Sequence, residues 1–305
     1  MFKLFYPIRR KIILTALYCI SGSWASVVVA EQPSRAAFTV KHVHNVQDEY
    51  FRVRDLYFIK ILELAAQYSD ADITLEPVAT KHQLESRTVL SVEEGVLDVH
   101  WMHTSEALES QLLPIRIPLY KGLIGWRLML VRQDDADLLK GVASLEALRQ
   151  FPVLQSFDWP DTPILMANGF QVVSSIGFRS LFRMLIHRRA DMFPRSIVEV
   201  WSELESQSDL NLRVDSHVAL FYPTAYYFFV TKDNVKLHAA LKQGLERAID
   251  NGDFERHFQN NFSKYIEKSN LSERNLISID NPNLPALTPL NQKKLWFRPE
   301  KLVKP

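Results

Sequence analysis

Residues 93–105 read EEGVLDVHWMHTS, and this stretch decides the fold class. Gly95 is the residue type that most often ends a helix, because it adopts the left-handed backbone conformation without steric cost. The mostly apolar run from Val96 to Met102 predicts a buried strand. A short polar segment, His103 to Ser105, follows this strand directly. The stretch therefore predicts a helix, a strand and a loop at the end of a sheet.

Predicted strands and helices alternate in the residues before this stretch. Ala37 to Val43 predicts a strand, Asp48 to Tyr68 predicts an amphipathic helix, and Ile73 to Pro77 predicts a second strand. Thr80 can cap a further helix that runs to Glu94. Strand, helix, strand, helix, strand with short connections indicates a parallel sheet flanked by helices. The predicted fold class is therefore α/β.

The same alternation recurs after a long apolar segment. Ile115 to Val131 predicts one extended strand that leaves the first unit, and Ala225 to Thr231 predicts a strand that returns to it. The predicted elements between them are a helix capped by Ser144, a strand at 153–156, a helix at 162–167, a strand at 170–174, a helix at 178–187 and a strand at 191–197. Two α/β lobes joined by two crossing strands place the carboxyl ends of both sheets around one cleft, where ligands bind in open α/β sheets.

These patterns divide the chain into five segments. Residues 1–30 are a predicted signal peptide, residues 31–130 begin the first lobe, and residues 131–225 form the second lobe. Residues 226–268 return to the first lobe as helices. Residues 269–305 are predicted to be an irregular tail that packs on the body through Leu295, Trp296 and Phe297.

The amino terminus has the pattern of a secretory signal. The first eleven residues carry four basic side chains and no acid, and an uncharged run from Ile12 to Ile20 follows. A cut after Ala25 or after Ala30 fits, and the polar residues 31–34 favour Ala30. An uncleaved anchor is the alternative, but residues 21–23 (SGS) interrupt the apolar run well short of the roughly 20 residues that span a bilayer. We expect a periplasmic protein without membrane insertion after cleavage.

Composition excludes several function classes. The one cysteine, Cys19, lies inside the signal, so the mature protein has no disulfide. The formal net charge is +1, and removal of the four leader charges leaves about −3, which does not favour nucleic acid as a partner. The chain has no nucleophile elbow, HExxH pair, phosphate loop or dinucleotide fingerprint. We expect a monomer that has no cofactor and is not an enzyme.

Four segments follow one another in a recognisable order. They are EEGVLDVHWMHTS (93–105), IPLYKGLIGWRLMLV (117–131), SLEALRQFPVLQS (144–156) and RRADMFPRS (188–196). This order resembles the type 2 periplasmic solute-binding proteins, especially the polar amino-acid receptor-like branch of extracellular solute-binding family 3. The resemblance covers about residues 35–268. It implies a two-lobed receptor that delivers a solute to a membrane permease or forms the sensing part of a receptor.

Two features depart from the family pattern. DWPDTPILMANGF (158–170) lacks the glycine-rich helix start that usually receives a ligand carboxylate in the family. The family's arginine after the ligand loop has no clear match in this chain.

The first lobe offers four candidate ligand-binding residues. Trp101, His103 and Thr104 lie where the third predicted strand opens to the cleft, and Ser105 can cap the next helix so that its amides face an anion. Trp101 can instead be a core aromatic. Arg127, on the predicted crossing strand, can grip a carboxylate with two hydrogen bonds. It can instead pair with an acid of the chain.

The second lobe offers four more candidates. Trp159 and Asp161 can supply an aromatic lid and a carboxylate for a ligand amine, with Tyr222 near the return crossing. Asp161 can instead cap the helix that begins after it. Phe193 and Arg195 lie in the last predicted strand of this lobe, at 191–197, and Arg195 can also grip a carboxylate.

The predicted ligand is a small polar solute with a carboxylate, such as an amino acid or an organic acid, captured for ABC-type transport. A free-standing extracytoplasmic sensory module is the alternative. A third class of function uses the histidines, as an enzyme or a metal carrier. His42, His44, His100 and His103 end two strands and could converge on zinc or copper.

Overall fold

A computed structural model of the protein describes residues 35–81 and 83–299. The predicted signal peptide lies outside the described residues. The strands of the described part are β1 (Ala37–Asn45), β2 (Asp72–Thr80), β3 (His100–His103), β4 (Leu112–Ile115), β5 (Trp126–Arg132), β6 (Val153–Ser156), β7 (Val172–Ser175), β8 (Phe193–Ser196), β9 (Leu212–Phe221), β10 (Tyr226–Thr231) and β11 (Asn275–Ser278). The helices are α1 (Glu49–Tyr68), α2 (Glu85–Glu93), α3 (Glu106–Gln111), α4 (Leu145–Leu148), α5 (Asp161–Ala167), α6 (Phe178–Ile186), α7 (Val200–Ser206), α8 (Val235–Asp250) and α9 (Asp253–Ser269).

The first lobe comprises β1 to β4, β10, α1 to α3, α8 and α9. Strand β1 pairs with β2 in parallel along its whole length. Strand β10 lies between β3 and β4 and pairs with both in antiparallel orientation. Helices α1 and α8 pack closely against each other, and the buried faces of α1, α8 and α9 join the large apolar core. The predicted return strand is therefore present, as β10 in the middle of a sheet.

The second lobe comprises β5 to β9, β11 and α4 to α7. Strand β5 carries Arg127, so this residue belongs to the second lobe and not to the first, which was predicted to extend to residue 130. Its larger sheet has the strand order β11, β9, β5, β8, and β6 pairs in parallel with β7. A parallel bridge between Val153 and Met192 connects the smaller sheet to the end of β8. A separate apolar core that includes Met129, Leu148 and Leu165 lies in this lobe. The alternation of short strands and helices predicted for this region is confirmed.

The prediction of one long crossing strand from Ile115 to Val131 is wrong. Strand β4 ends at Ile115, and β5 begins only at Trp126. The chain turns between them because Lys121 and Gly122 both have left-handed backbone angles, with φ of 49° and 71°. A side chain on Gly122 would meet the Trp296 ring at 2.3 Å. The apolar pattern of this segment reflects burial in a turn rather than an extended strand.

The third strand also begins later than predicted. The segment from Val96 to Val99 is not part of β3, because its backbone and the Asp98 carboxylate bond to Lys41 of β1. The Asp98 Oδ2 accepts a hydrogen bond from the Lys41 amide at 2.7 Å, and the Asp98 amide donates to the Lys41 carbonyl at 2.9 Å. Thr80 ends β2 and does not cap α2, which begins at Glu85.

The carboxyl-terminal segment contains a strand that the sequence does not predict. Residues 275–278 form β11, which pairs in parallel with β9. The remainder packs on the body as predicted: the Phe297 amide donates to the Lys121 carbonyl at 2.7 Å, and the Phe297 ring lies 6.0 Å from the Trp126 ring. Helix α7 and strand β9 are likewise absent from the sequence prediction.

Gly244 of α8 allows close contact between α8 and α1. A Cβ atom at this position would lie 1.9 Å from the Ala65 carbonyl oxygen, which belongs to the backbone and cannot rotate away. We expect Gly244→Ala to lower the free energy of unfolding by about 1–3 kcal/mol through overpacking, measured by urea denaturation. Lys236→Ala, at an exposed site of the same helix, should change it by less than about 0.5 kcal/mol. Equal urea midpoints for Gly244→Ala and Lys236→Ala would contradict the close contact between α8 and α1.

Candidate functional site

A cavity of about 430 Å³ lies between the two lobes. This volume suits a small solute, since ligand pockets commonly measure about 300–1,000 Å³. The first lobe contributes aromatic and charged side chains from α1, α2, β3 and β10, namely Tyr50, Arg54, Asp55, Glu85, Trp101 and Tyr226. The second lobe contributes Asp158, Trp159, Asp161, Arg195, Glu199 and Glu203.

The lobes touch directly beside this cavity. The Tyr50 and Phe178 rings stack with centroids 5.4 Å apart. The Tyr50 hydroxyl donates to Glu203 Oε1 at 3.0 Å, and Arg179 pairs with Asp48 at 3.3 Å. These contacts join the first turn of α1 to helices α6 and α7 on one side of the cavity.

Arg127 and Asp161 form a buried ion pair. The Arg127 Nη2 lies 2.5 Å from Asp161 Oδ1, and only 1% of the arginine side chain is exposed. The buried Tyr222 hydroxyl donates to the same carboxylate oxygen. Burial favours the neutral form of Asp161, but the charge of Arg127 and the hydrogen bond from Tyr222 outweigh burial and lower the pKa of Asp161. The carboxylate is therefore charged and doubly bound.

Arg195 is the centre of a second ion cluster. Its guanidinium donates to both carboxylate oxygens of Glu203, at 2.7 and 2.5 Å, and lies 3.1 Å from Glu199. It also lies over the Trp159 ring, 4.4 Å from the centroid. Glu199 is 3.7 Å from Arg127, so the two clusters form one continuous network across the wall of the second lobe.

These pairs bear on the alternative left open for Arg127, an acid of the chain as its partner. Arg127 is bound to an acid of the chain, and Arg195 is bound to two. That each of them grips a ligand carboxylate stays a prediction: both make ion pairs inside the protein, whereas Arg127 Nε is buried without a hydrogen-bond partner. The expectation that Asp161 caps the following helix is wrong: α5 begins at Asp161 itself, without a side-chain cap.

Of the segment Trp101 to Ser105, predicted to open to the cleft, only part lines the cavity. Trp101 and His103 line it, and both are almost fully buried. The Trp101 ring also stacks on Phe58 at 4.9 Å, so it is a core aromatic with an edge on the cavity. Thr104 is buried elsewhere and donates to Glu109 at 2.6 Å. Ser105 caps α3 as predicted, by accepting from the Leu108 amide at 3.1 Å.

The aromatic candidates of the second lobe form a layered wall. Trp159 lines the cavity. Phe193 is fully buried behind it, and the two rings are nearly parallel with centroids 6.2 Å apart. Trp159 therefore lies between Phe193 and the cavity, with Arg195 over its face. Phe193 supports this wall and does not line the cavity.

Arg54 is a cavity residue that the sequence did not single out. It lies on α1 near the Phe51 ring, 4.9 Å from the centroid, and its Nε is buried without a hydrogen-bond partner. It forms no ion pair with any residue in the described ranges. Burial lowers the pKa of Arg54, but Tyr226 and Asp55 outweigh burial and raise it, so the side chain stays charged. Arg54 is thus the lining arginine that remains available to a solute.

The pKa values of three other lining groups are shifted. Burial, together with Asp158 and Asp161, raises the pKa of Glu85 to about 8. Burial raises the pKa of Asp55 to about 6, against the opposing effect of Arg54. Burial lowers the pKa of His103 to about 4, so its imidazole is neutral at neutral pH. Its Nδ1 lies 3.3 Å from the Thr224 hydroxyl.

The four histidines do not converge on a metal site. Within residues 35–81 and 83–299, no three His, Cys, Asp or Glu side chains are arranged to hold a metal ion. His42 instead contacts the Val43 carbonyl at 3.0 Å, and burial lowers its pKa.

No helix among the described residues is both long and apolar enough to cross a bilayer.

Comparisons with known proteins identify the fold. No family model matches this chain, and no curated protein does. Among solved structures, an ancestral arginine-binding protein bound to arginine is 15% identical, with a TM-score of 0.53, 73% of this chain and 98% of that chain covered. The probable amino-acid ABC transporter extracellular-binding protein ytmK from Bacillus subtilis is 17% identical, with a TM-score of 0.56. This match covers 74% of this chain and 97% of that chain.

A third solved structure is a histidine kinase sensor domain with similarity to periplasmic binding proteins. It is 20% identical, with a TM-score of 0.52 and coverage of 67% of this chain and 85% of that one. At such identities the likeness shows the fold alone. This chain has the two-lobed α/β fold of periplasmic binding proteins, which confirms the predicted fold class.

Proposed function

We propose that this chain, a two-lobed protein of the periplasmic-binding-protein fold, captures a small polar solute between its lobes for ABC-type transport. It reaches the periplasm through its signal peptide, cleaved after Ala30, and hands the solute to a membrane permease. The observation that carries the proposal is that Arg54, which makes no ion pair with any described residue, lines an aromatic-rich cavity between the lobes.

Arg54 is the residue that receives an acceptor group of the solute, such as a carboxylate. Arg54 is half-buried and its Nε has no hydrogen-bond partner, and a carboxylate offers two oxygens to such a guanidinium. Arg127 and Arg195 already make ion pairs with acids of the chain, which leaves Arg54 as the lining arginine without one among the described residues. Their network instead fixes Trp159 and the wall on which the solute rests.

Cleft closure follows from the placement of these groups on different lobes. Arg54 and Trp101 belong to the first lobe, whereas Trp159 and the ion network belong to the second. A solute that contacts both sets binds the closed state more tightly than the open one, and this difference in affinity shifts the population towards closure. The structural neighbours include an arginine-binding protein and a probable amino-acid ABC transporter extracellular-binding protein, and both are compatible with this role.

A sensory module is the second candidate function. The Tyr50 hydrogen bond to Glu203 and the ring stack on Phe178 bring the lobes together through protein contacts. Such contacts suit a domain that reports its closure to another protein, and one structural neighbour is a histidine kinase sensor domain.

A thermal-shift screen of residues 31–305 tests the proposal. Its panel contains amino acids, organic acids, polyamines, small sugars and divalent metals. A solute that binds only the folded state raises the melting temperature in proportion to RT ln(1 + [L]/Kd). We expect a saturable rise with one class of carboxylate-bearing solute, about 2.7 kcal/mol of added stability at a hundredfold excess over Kd. A flat response across the panel would contradict solute capture.

A further inference from the structure

We infer that residues 281–297 form a strap across the hinge between the two lobes and restrain the rotation of one lobe against the other. The hinge consists of the two connections that join the sheets of the lobes: residues 116–125 between β4 and β5, and residues 222–225 between β9 and β10. Such a strap acts with or without a solute, and it therefore goes beyond the proposed function.

The two connections of the hinge lie against each other. The Leu119 amide donates to the Tyr226 carbonyl at 2.9 Å, and the Tyr222 amide donates to the Gly125 carbonyl at 3.2 Å. A Cβ atom on Gly125 would lie 2.1 Å from the Tyr222 carbonyl oxygen. Rotation of the lobes passes through this compact region, so a segment that bridges it opposes the rotation.

The strap begins on the second lobe. Strand β11 pairs with β9 and leads into the strap, and the Asn168 side chain of α5 donates to the Asp280 carbonyl at 2.8 Å. The Asn281 side chain then donates to the Pro223 carbonyl, within the hinge, at 2.9 Å. The start of the strap is therefore fixed both to the second lobe and to one connection of the hinge.

The strap ends on the other connection, which is itself fixed to the first lobe. The Phe297 amide donates to the Lys121 carbonyl at 2.7 Å, and the Lys121 side chain pairs with Glu255 of α9. The Trp296 ring lies so close to Gly122 that a Cβ atom there would meet it at 2.3 Å. The strap is thus attached to both connections and, through them, to both lobes.

The chain between these attachments is stiff. Pro282, Pro285 and Pro289 lie within it, and a proline ring fixes its own φ angle at about −65°. The Trp296 Nε1 donates to the Pro289 carbonyl at 2.8 Å, which ties the middle of the strap to its end. A stiff segment resists a change in the distance between its attachments more than a flexible one does.

The distance between spin labels on the two lobes tests the inference, measured by pulsed electron paramagnetic resonance without solute. Residues 31–305 contain no cysteine, so Ser86→Cys on α2 and Ser174→Cys on β7 define the two labelled sites. Both serines are exposed, and each lies near residues that line the cavity from its own lobe.

We expect the double variant Trp296→Ala with Phe297→Ala to lengthen the mean distance between the labels and to widen its distribution. The lobes already touch where the Tyr50 ring stacks on Phe178, so a loosened strap allows movement in the opening direction. Lys293→Ala is the matched control, because this side chain is exposed within the strap. It should leave the distribution unchanged.

Hydrogen exchange separates release of the strap from loss of the fold. The Leu119 and Tyr222 amides of the hinge should exchange about tenfold faster or more in the double variant, whereas the amides of β1 and β2 keep their wild-type rates. Trp296→Leu keeps an apolar side chain but loses the ring on Gly122 and the N–H donor. It carries the same expected result if the double variant does not fold.

An unchanged distance distribution in a folded variant would overturn the inference. Exchange that accelerates in β1 and β2 by the same factor as in the hinge would also overturn it, because the segment would then stabilise the whole fold rather than the hinge. No solute enters these experiments, so solute capture stands or falls separately, on the thermal-shift screen.

Discussion

Replacing Asp161 with alanine is expected to lower the free energy of unfolding by about 3–5 kcal/mol, because it leaves a buried charge without its partner. Arg127 is the largest fully buried side chain of the described residues, and Asp161 is its nearest acid, at 2.5 Å. Glu199 is 3.7 Å away and shared with Arg195, so it cannot fully compensate. Urea denaturation monitored by circular dichroism measures the loss.

Two further variants make this result specific. Asp137→Ala removes an acid of the same lobe whose side chain is 77% exposed, and it should change stability by less than about 0.5 kcal/mol. The double variant Arg127→Met with Asp161→Leu replaces the pair by apolar groups and should recover most of the stability. A loss below about 1 kcal/mol for Asp161→Ala alone would show that the pair is not buried as described.

Replacing Arg54 with alanine is expected to weaken binding of the captured solute about 100-fold, which corresponds to about 2.7 kcal/mol. The reason is that Arg127 and Arg195 already make ion pairs with acids of the chain, whereas Arg54 makes none among the described residues. Isothermal titration with the solute found in the thermal-shift screen measures the effect.

Arg52→Ala is the matched control for Arg54. Arg52 lies on the same helix but faces solvent, where it pairs with Glu49. Its replacement should leave the affinity unchanged. The Arg54→Ala protein should remain folded, since the variant removes a half-buried cation that has no ion-pair partner among the described residues. Equal affinities for the two variants would remove Arg54 from the binding site.

The architecture was predictable because local signals agreed with the global fold. Gly95 has a φ of 70° and ends the helix as predicted, and Ser144 caps α4 through the Ala147 amide at 3.2 Å. The long-strand prediction for 115–131 failed because an apolar run does not distinguish a buried strand from a buried turn. Strand β11 was missed because its pairing with β9 is a long-range contact without a local signal.

The site was predictable in composition but not in the roles of its residues. Trp101, His103, Trp159, Asp161 and Arg195 do line the interlobe cavity. Which arginine is free depends on distances between segments far apart in sequence, such as Arg127 and Asp161. Arg54 and Asp55 carried a weak signal, namely two charges beside aromatic positions of an amphipathic helix. A charge in such a position points to a buried partner or a ligand.

A fluorescence titration tests most directly whether the solute binds between the lobes. Trp101 and Trp159 line the cavity from opposite lobes, so a solute bound there changes their surroundings. The prediction is a saturable change in tryptophan emission with the solute that raises the melting temperature, and its loss in Arg54→Ala. A solute that stabilises the protein but leaves the emission unchanged, or changes it equally in Arg54→Ala, binds elsewhere and would contradict recognition in this cavity.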